Sequence, residues 1–106
     1  MMKWLSDQDE LLPMISRGKT VLLFSADWCP DCRLIEPFMP EIEKKYEEFQ
    51  FVYVDRDDFI DLCQEYDVFG IPSFIAFENG VEIGRFVSKD RKTREEIEAF
   101  LDDLQA

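Results

Sequence analysis

The stretch Ala26-Asp27-Trp28-Cys29-Pro30-Asp31-Cys32 connects two segments with different hydrophobic patterns. Before it, Thr20-Val21-Leu22-Leu23-Phe24 is a short apolar run that predicts a buried strand. After it, residues 33–39 carry apolar side chains at helical spacing. The sequence therefore predicts a strand, a tight turn and a helix that begins at a Cys-x-x-Cys pattern.

The two cysteines of this pattern, Cys29 and Cys32, are predicted to place both sulfur atoms on one turn of the helix. Unpaired backbone N–H groups and the positive end of the helix dipole favour the thiolate over the thiol at Cys29. The thiolate is the form that attacks disulfides. The spacing therefore indicates a site for thiol–disulfide exchange.

Two other interpretations of the cysteine pair stay open on the residues alone. Cys-x-x-Cys is also half of a four-ligand zinc site, but the chain has no His and only Cys63 as a further cysteine. A zinc ion would therefore have to recruit a carboxylate as a ligand. The other alternative is an inert structural pair, since thiols are kept reduced in the cytosol.

Length and charge limit the class of protein. The 106 residues suffice for one domain with a hydrophobic core, predicted over residues 1–106. A net charge of −12 argues against nucleic acid or an anionic membrane as a partner. No apolar run has the length of a membrane span, and no signal peptide pattern is seen. With three cysteines, at least one is unpaired, so a cytoplasmic location is expected.

Periodicity and turn residues predict the remaining elements. Strands are expected at residues 20–25, 49–55, 73–78 and 81–87, and helices at 7–17, 30–48, 58–66 and 93–104. Residues 1–4 are expected to be a short lead-in. Asn79-Gly80 predicts a hairpin turn, and Gly84 predicts a bulge. The order of elements indicates an α/β fold with a parallel first strand pair and helices on both faces.

Two prolines fall inside the predicted second helix. Pro37 predicts a kink, because proline has no N–H to donate and its ring clashes with the preceding turn. Pro40 is expected to break the same helix more sharply. Pro13 likewise predicts a kink or a split in the first helix.

The sequence Trp28-Cys29-Pro30-Asp31-Cys32 resembles the Trp-Cys-Gly-Pro-Cys site of thioredoxins. It is also similar to the site of cytosolic thioredoxin-related proteins that carry the same Pro-Asp dipeptide. Thioredoxins have a proline at the offset of Pro37, and the resemblance covers nearly the whole chain. It implies the thioredoxin fold, a central mixed sheet of four to five strands flanked by about four helices.

The resemblance also implies roles for individual residues. Cys29 is expected to be the nucleophile that forms a mixed disulfide, and Cys32 the more buried thiol that resolves it. Ile71-Pro72 matches the cis-proline that faces the cysteines in this fold, with Ile71 offering its backbone to a substrate. An ordinary turn proline is the alternative interpretation of Pro72.

The residues around the first cysteine are expected to contact substrates. Trp28 is predicted both to pack against the active turn and to contact partner proteins. Asp27 and Asp31 place carboxylates near Cys29, where their field opposes the helix dipole, unless both are solvated and contribute little. The predicted substrate-contacting residues are Trp28, Pro30, Asp31, Ile71 and Pro72.

Several positions depart from the thioredoxin pattern. Thioredoxins bury an Asp where this chain has Leu23, paired with a Lys on the next strand at a position aligned here with Phe51. The loss of both predicts an apolar site, in which water or Asp31 takes the proton from the resolving thiol. Ser88-Lys89 replaces a small Gly-Ala pair, so a polar groove and different partners are expected.

Cys63 stands where the family has Ala, on the same predicted helix face as Phe59 and Leu62. It is expected to be a small core residue, with a regulatory or dimer-forming thiol as the alternative.

The residues and the resemblance together indicate a small thioredoxin-like disulfide reductase. It is expected to act as a monomer on disulfides of proteins or small molecules, without a metal or cofactor, and to draw electrons from a reductase. The alternative is a thioredoxin-fold module that binds a protein partner without turnover, through Trp28, Pro72 and Ser88.

Overall fold

The computed structural model describes residues 2–105 of the chain. Their strands are β1 (Lys3–Trp4), β2 (Lys19–Ser25), β3 (Phe49–Asp55), β4 (Ser73–Glu78) and β5 (Val81–Phe86). All five form one sheet in the order β1-β3-β2-β4-β5. β3 pairs in parallel with both β1 and β2, whereas β4 pairs antiparallel with β2 and β5. The sheet is therefore mixed, and its central strand β2 leads into the cysteine pair.

Five α-helices of the described residues accompany the sheet, and two of them are joined into one segment. The α-helices are α1 (Leu11–Ile15), α2 (Pro30–Ile35), α3 (Met39–Lys45), α4 (Ile60–Glu65) and α5 (Arg94–Gln105). A short 3-10 turn, Gln8–Glu10, leads into α1, and another, Glu36–Phe38, joins α2 to α3. Within residues 2–105, no helix has the length and apolar character that crossing a bilayer requires.

The core lies on both faces of the sheet because side chains alternate along each strand. On one face, Leu23 packs with residues of α2, α3 and α5 such as Ile35 and Ile97. On the other face, Leu22 and Phe24 pack with residues of α1 and α4. Because helices cover both faces of the sheet, nearly every residue of β2 is buried. This burial holds in place the strand that leads to the cysteines.

The prolines shape the second helical segment. Pro37 lies in the 3-10 turn Glu36–Phe38, so the predicted kink is confirmed. The sharper break expected at Pro40 was wrong: Pro40 lies in the first turn of α3, where its missing N–H removes no intrahelical hydrogen bond. The segment ends at Lys45 rather than at residue 48, because Tyr46 leaves helical geometry with φ −116° and ψ 51°.

The first residues that the structure describes bear on the predicted lead-in. The expected lead-in was wrong for Lys3 and Trp4, which form β1 beside Val52 and Tyr53; Met1 lies outside the described residues. A two-residue strand is too short to show an alternating pattern.

The hairpin between β4 and β5 follows the predicted turn. Asn79 and Gly80 both have positive φ, 51° and 87°, as this kind of hairpin turn requires. The predicted bulge is confirmed: Ala76 faces Gly84 while Phe77 faces Glu82, so one residue of β5 is unpaired.

Candidate active site

The two sulfur atoms are placed by the turn that leaves β2. Cys29 is the N-cap residue of α2, and its sulfur accepts a hydrogen bond from the Cys32 backbone N–H at 3.2 Å. Pro30 fits the first position of the helix, where no N–H is needed. Cys29 is 5% exposed and Cys32 is 0% exposed. Cys29 is thus the more accessible residue of the two, as the predicted exchange mechanism requires.

Burial raises the pKa of the Cys32 thiol, and the neighbouring Cys29 raises it further. The Ser25 side chain acts in the opposite direction and lowers this pKa by hydrogen bonding. Cys32 is therefore a protonated thiol at rest, and all three cysteines are free. Within residues 2–105, no group of three or more Cys, Asp or Glu side chains is placed to hold a metal ion.

The loop before β4 closes the site from the other side. The Ile71-Pro72 peptide bond is cis, as the resemblance implies. The Cys29 sulfur lies 3.9 Å from the Ile71 carbonyl oxygen, which accepts a weak hydrogen bond from the thiol. Ile71 also packs against both cysteines and Ala26. The structure therefore brings the predicted cysteine pair and the predicted proline loop together.

Trp28 is held at one edge and is otherwise open to solvent. Its indole N–H donates to the Asp57 carboxylate at 2.7 Å, and 59% of the residue is exposed. The Arg56 guanidinium lies 5.8 Å from the centre of the ring and also pairs with Asp57 at 3.2 Å. This arrangement allows the predicted double role, because one edge is anchored while a face stays available.

The sequence analysis missed Arg56 and Asp57. A signal was present, since both residues follow β3, whose carboxyl end lies beside that of β2 in a parallel pair.

A second unpredicted contact involves the loop after β5. Arg91 donates to the Asp31 carboxylate at 2.9 Å, across sixty residues of sequence. Lys92 is 3% exposed and donates to the Ser88 carbonyl, the Ser88 hydroxyl and the Asp90 carbonyl, each at 3.1 Å. Burial lowers the pKa of Lys92. These bonds fix the loop, and they engage the Asp31 carboxylate that was predicted to be near Cys29.

The structure shows which residues of β3 lie near Leu23. In the parallel register, Leu23 lies beside Tyr53, and Phe51 lies beside Val21. All three side chains of Leu23, Phe51 and Tyr53 are buried in the same core cluster. Leu23 and Phe51 give this part of the core the apolar character that was predicted, and Tyr53 adds one hydroxyl group to it.

A cavity of about 420 Å³ opens beside Cys29. Exposed apolar side chains of Trp28, Ile60 and Phe69 form part of its wall, and Lys89 contributes a positive charge. Cys63 also lines it but is 3% exposed and belongs to the core beneath α4, as predicted. Burial raises the pKa of the Cys63 thiol, so this cysteine is a poor nucleophile.

Residues 7–103 match the family model for thioredoxin. The chain belongs to the thioredoxin family. Thioredoxin from Sus scrofa is 36% identical over 95 residues, which are 90% of this chain and 88% of that protein. A thioredoxin H-type from Fagopyrum esculentum is 41% identical over 71 residues, 66% of this chain and 61% of that protein.

The solved structure of thioredoxin from Trypanosoma brucei brucei superposes on this thioredoxin-family chain with a TM-score of 0.88 and 23% identity. That superposition covers 99% of this chain and 91% of the other. The predicted thioredoxin fold is therefore confirmed. The chain spans 61%, 56% and 59% of the length of three curated relatives that it matches.

Proposed function

We propose that this protein is a thiol–disulfide oxidoreductase that reduces disulfides through Cys29 and Cys32. One observation carries the proposal: the Cys29 sulfur lines an open cavity and accepts the Cys32 N–H, while the Cys32 thiol is buried directly behind it. A nucleophile in front and a protected thiol behind suit a two-step exchange. Family membership supports the same activity.

The reaction proceeds in two balanced steps. In the first, the Cys29 thiolate attacks one sulfur of a substrate disulfide, which forms a mixed disulfide and releases the other sulfur as a thiolate. In the second, Cys32 loses its proton and attacks the Cys29 sulfur, which releases the second substrate thiol. The substrate gains two electrons and two protons, and the protein is left with a Cys29–Cys32 disulfide.

The substrates proposed are disulfides of proteins or of small molecules that fit the cavity beside Cys29. A separate reductase must return two electrons to the oxidised pair, because the chain holds no further redox group in this proposal. We also propose that the protein works as a monomer in the cytoplasm. Three cysteines leave at least one thiol unpaired, which suits a reducing compartment. One relative is a mitochondrial thioredoxin of Schizosaccharomyces pombe, 35% identical over 74 residues.

Trapping tests the order of the two cysteines. In a Cys63→Ala background, Cys32→Ser is expected to accumulate a mixed disulfide with a substrate protein, and Cys29→Ser is expected to accumulate none. Mass spectrometry of the adduct identifies the sulfur involved. An adduct that forms only in Cys29→Ser contradicts the assignment.

The redox equilibrium of the pair separates turnover from simple binding. Titration against thiol buffers, followed by Trp28 fluorescence, is expected to show a reversible two-electron transition near about −270 mV, a value characteristic of thioredoxins. A midpoint between about −180 and −120 mV indicates an oxidant or isomerase instead. The absence of any transition supports a binding module. One zinc ion per chain in reduced protein, lost in Cys32→Ser, supports a metal site.

A further inference from the structure

The cavity beside Cys29 carries the opposite charge to the chain as a whole. The chain has 24 Asp and Glu residues against 12 Lys and Arg, which gives a net charge of −12. Among the described residues that line the cavity, Arg56 and Lys89 are basic and none is acidic. A lining with two cations and no carboxylate is unusual on a chain with twice as many acidic as basic residues, and it calls for a reason in the ligand.

The loop that carries Lys89 is fixed against the proline loop. A Cβ added to Gly70 would lie 2.5 Å from the N and the Cα of Lys89, so the two backbones are in contact. The buried Lys92 donates to the carbonyl and to the hydroxyl of Ser88, each at 3.1 Å. The base of the Lys89 side chain therefore has a fixed place beside the loop that contacts the Cys29 sulfur.

The two cations differ in how far their charge is already compensated. Lys89 is exposed, and no residue of the part of the chain that the structure describes forms an ion pair with it. Arg56 pairs with Asp57 at 3.2 Å, and the same carboxylate accepts the indole N–H of Trp28. Lys89 therefore offers the larger uncompensated charge to a ligand, and Arg56 offers a smaller one.

The acidic residues of the neighbouring loops do not line this cavity. Asp31 is bound to Arg91 at 2.9 Å, Asp90 is exposed outside the lining, and Asp67 lines only an adjacent cavity. Salt at physiological ionic strength screens exposed charges that are more than about 8 Å apart. A carboxylate bound in the cavity is therefore attracted by the two cations that line it more strongly than it is repelled by distant acidic residues.

Apolar side chains give the same cavity the character of a peptide-binding surface. Trp28, Ile60 and Phe69 line it and are exposed, and Phe69 is 75% exposed. The adjacent cavity, of about 350 Å³, shares four lining residues with it, Phe69 among them. Exposed apolar patches of this kind mark sites of protein contact. A surface that continues from one cavity into the next suits a peptide segment better than a compact small molecule.

We propose that the cavity binds an acidic peptide segment of a substrate protein, in which an Asp or Glu lies next to the disulfide cysteine. Lys89 is the main specificity-determining residue, and Arg56 adds a weaker attraction. The apolar side chains of the wall pack against the rest of the segment. This inference rests on the proposed disulfide reduction, and it names the class of protein disulfide that the site prefers.

The test compares two peptide disulfides that differ in charge alone. They are the homodisulfides of acetyl-Glu-Cys-Glu-amide and of acetyl-Gln-Cys-Gln-amide. The reduced full-length chain is mixed with each of them, and the released peptide thiol is measured by acid quench and chromatography. Each rate is divided by the rate with dithiothreitol, a neutral dithiol, to remove the difference in intrinsic reactivity. The ratio of the two normalised rates is the charge preference.

The parent protein is expected to reduce the Glu peptide about fivefold faster than the Gln peptide at about 0.15 M salt, as the strength of exposed ion pairs allows. About 1 M salt is expected to bring this preference close to one. Lys89→Gln is expected to lower the preference about threefold, and Arg56→Gln to lower it less. Lys89→Glu is expected to reverse it.

Lys44→Gln is the matched control. It also removes one exposed positive charge, but it lies on α3 and does not line the cavity. It is expected to keep the charge preference of the parent. An equal loss of preference in Lys44→Gln and Lys89→Gln shows an effect of net charge alone and overturns the assignment of Lys89.

The outcomes distinguish the inference from the function on which it rests. Equal normalised rates for the two peptides in the parent, or a preference that Lys89→Gln leaves unchanged, overturn the acidic-segment proposal alone. If Lys89→Gln slows the reduction of dithiodipropionate, a small dianionic disulfide, but not that of the Glu peptide, the occupant is a small molecule and the proposal is overturned. A parent protein that reduces neither peptide overturns the proposed disulfide reduction itself.

Discussion

Gly70 stands at the closest approach between the two loops that flank Cys29. It precedes Ile71-Pro72, and an added Cβ would lie 2.5 Å from both the Cα and the N of Lys89 and 2.6 Å from the carbonyl carbon of Ser88. Ordinary van der Waals contacts of a Cβ begin at 3.4 Å. Gly70→Ala therefore forces one backbone segment to move by roughly the missing ångström, because backbone atoms have no rotamer to change.

The size of the effect follows from that displacement. Overpacking of a tight site costs about 1–3 kcal/mol of unfolding free energy. A shift of about 1 Å in groups that position a reaction slows it by up to about 10²-fold. We therefore expect Gly70→Ala to lose stability in this range and to reduce a disulfide substrate at least tenfold more slowly.

The assay combines urea unfolding with the initial rate of disulfide reduction. Gly84→Ala is the matched control, since its added Cβ would lie equally close, 2.5 Å, to an atom at the end of the flexible Leu104 side chain. That side chain can turn away, so a smaller stability loss and a parent-like rate are expected. The reasoning is refuted if Gly70→Ala equals the parent in both measurements, or if Gly84→Ala slows reduction as much.

Three further outcomes are expected. A double-mutant cycle of Asp31→Asn and Arg91→Gln, measured by urea unfolding, is expected to give a coupling free energy below about 1 kcal/mol, because exposed ion pairs contribute little to stability. A coupling free energy of several kcal/mol contradicts this expectation. Burial and Asp102 raise the pKa of Tyr46, so the free energy of unfolding is expected to fall as pH rises above about 10, and to fall less steeply in Tyr46→Phe. An equal fall of the urea midpoint with pH in the parent and in Tyr46→Phe contradicts this expectation. Cys63→Ala is expected to keep the redox midpoint of the Cys29–Cys32 pair and to lose on the order of 1 kcal/mol of unfolding free energy, because Cys63 is buried. A shifted redox midpoint indicates instead that Cys63 takes part in the redox chemistry.

Much of the site could be predicted because its signals are local. The Cys-x-x-Cys spacing, the strand before it and the helix after it lie within about twenty residues of one another. Pro37 produced its kink and Asn79-Gly80 its hairpin because backbone chemistry at a single position determines each feature. The family resemblance added the proline loop, which is far from the cysteines in sequence.

The errors and omissions share one physical cause. Tyr53 was missed as the neighbour of Leu23, since strand register depends on pairing across the sheet. The strand at Trp4 was missed because its two residues gain their hydrogen bonds only from β3. Asp57 and Arg91 reach the site from distant segments.

The sequence by itself thus determined the kind of fold and the place of the Cys29–Cys32 pair between a strand and a helix. The tertiary structure alone decided what surrounds the two cysteines, including the Asp57 carboxylate that anchors Trp28 and the Arg91 side chain that binds Asp31. Local propensity and spacing depend on consecutive residues and can be read from the sequence. Strand pairing and contacts between loops join residues that are distant in sequence, so they form only when the chain folds.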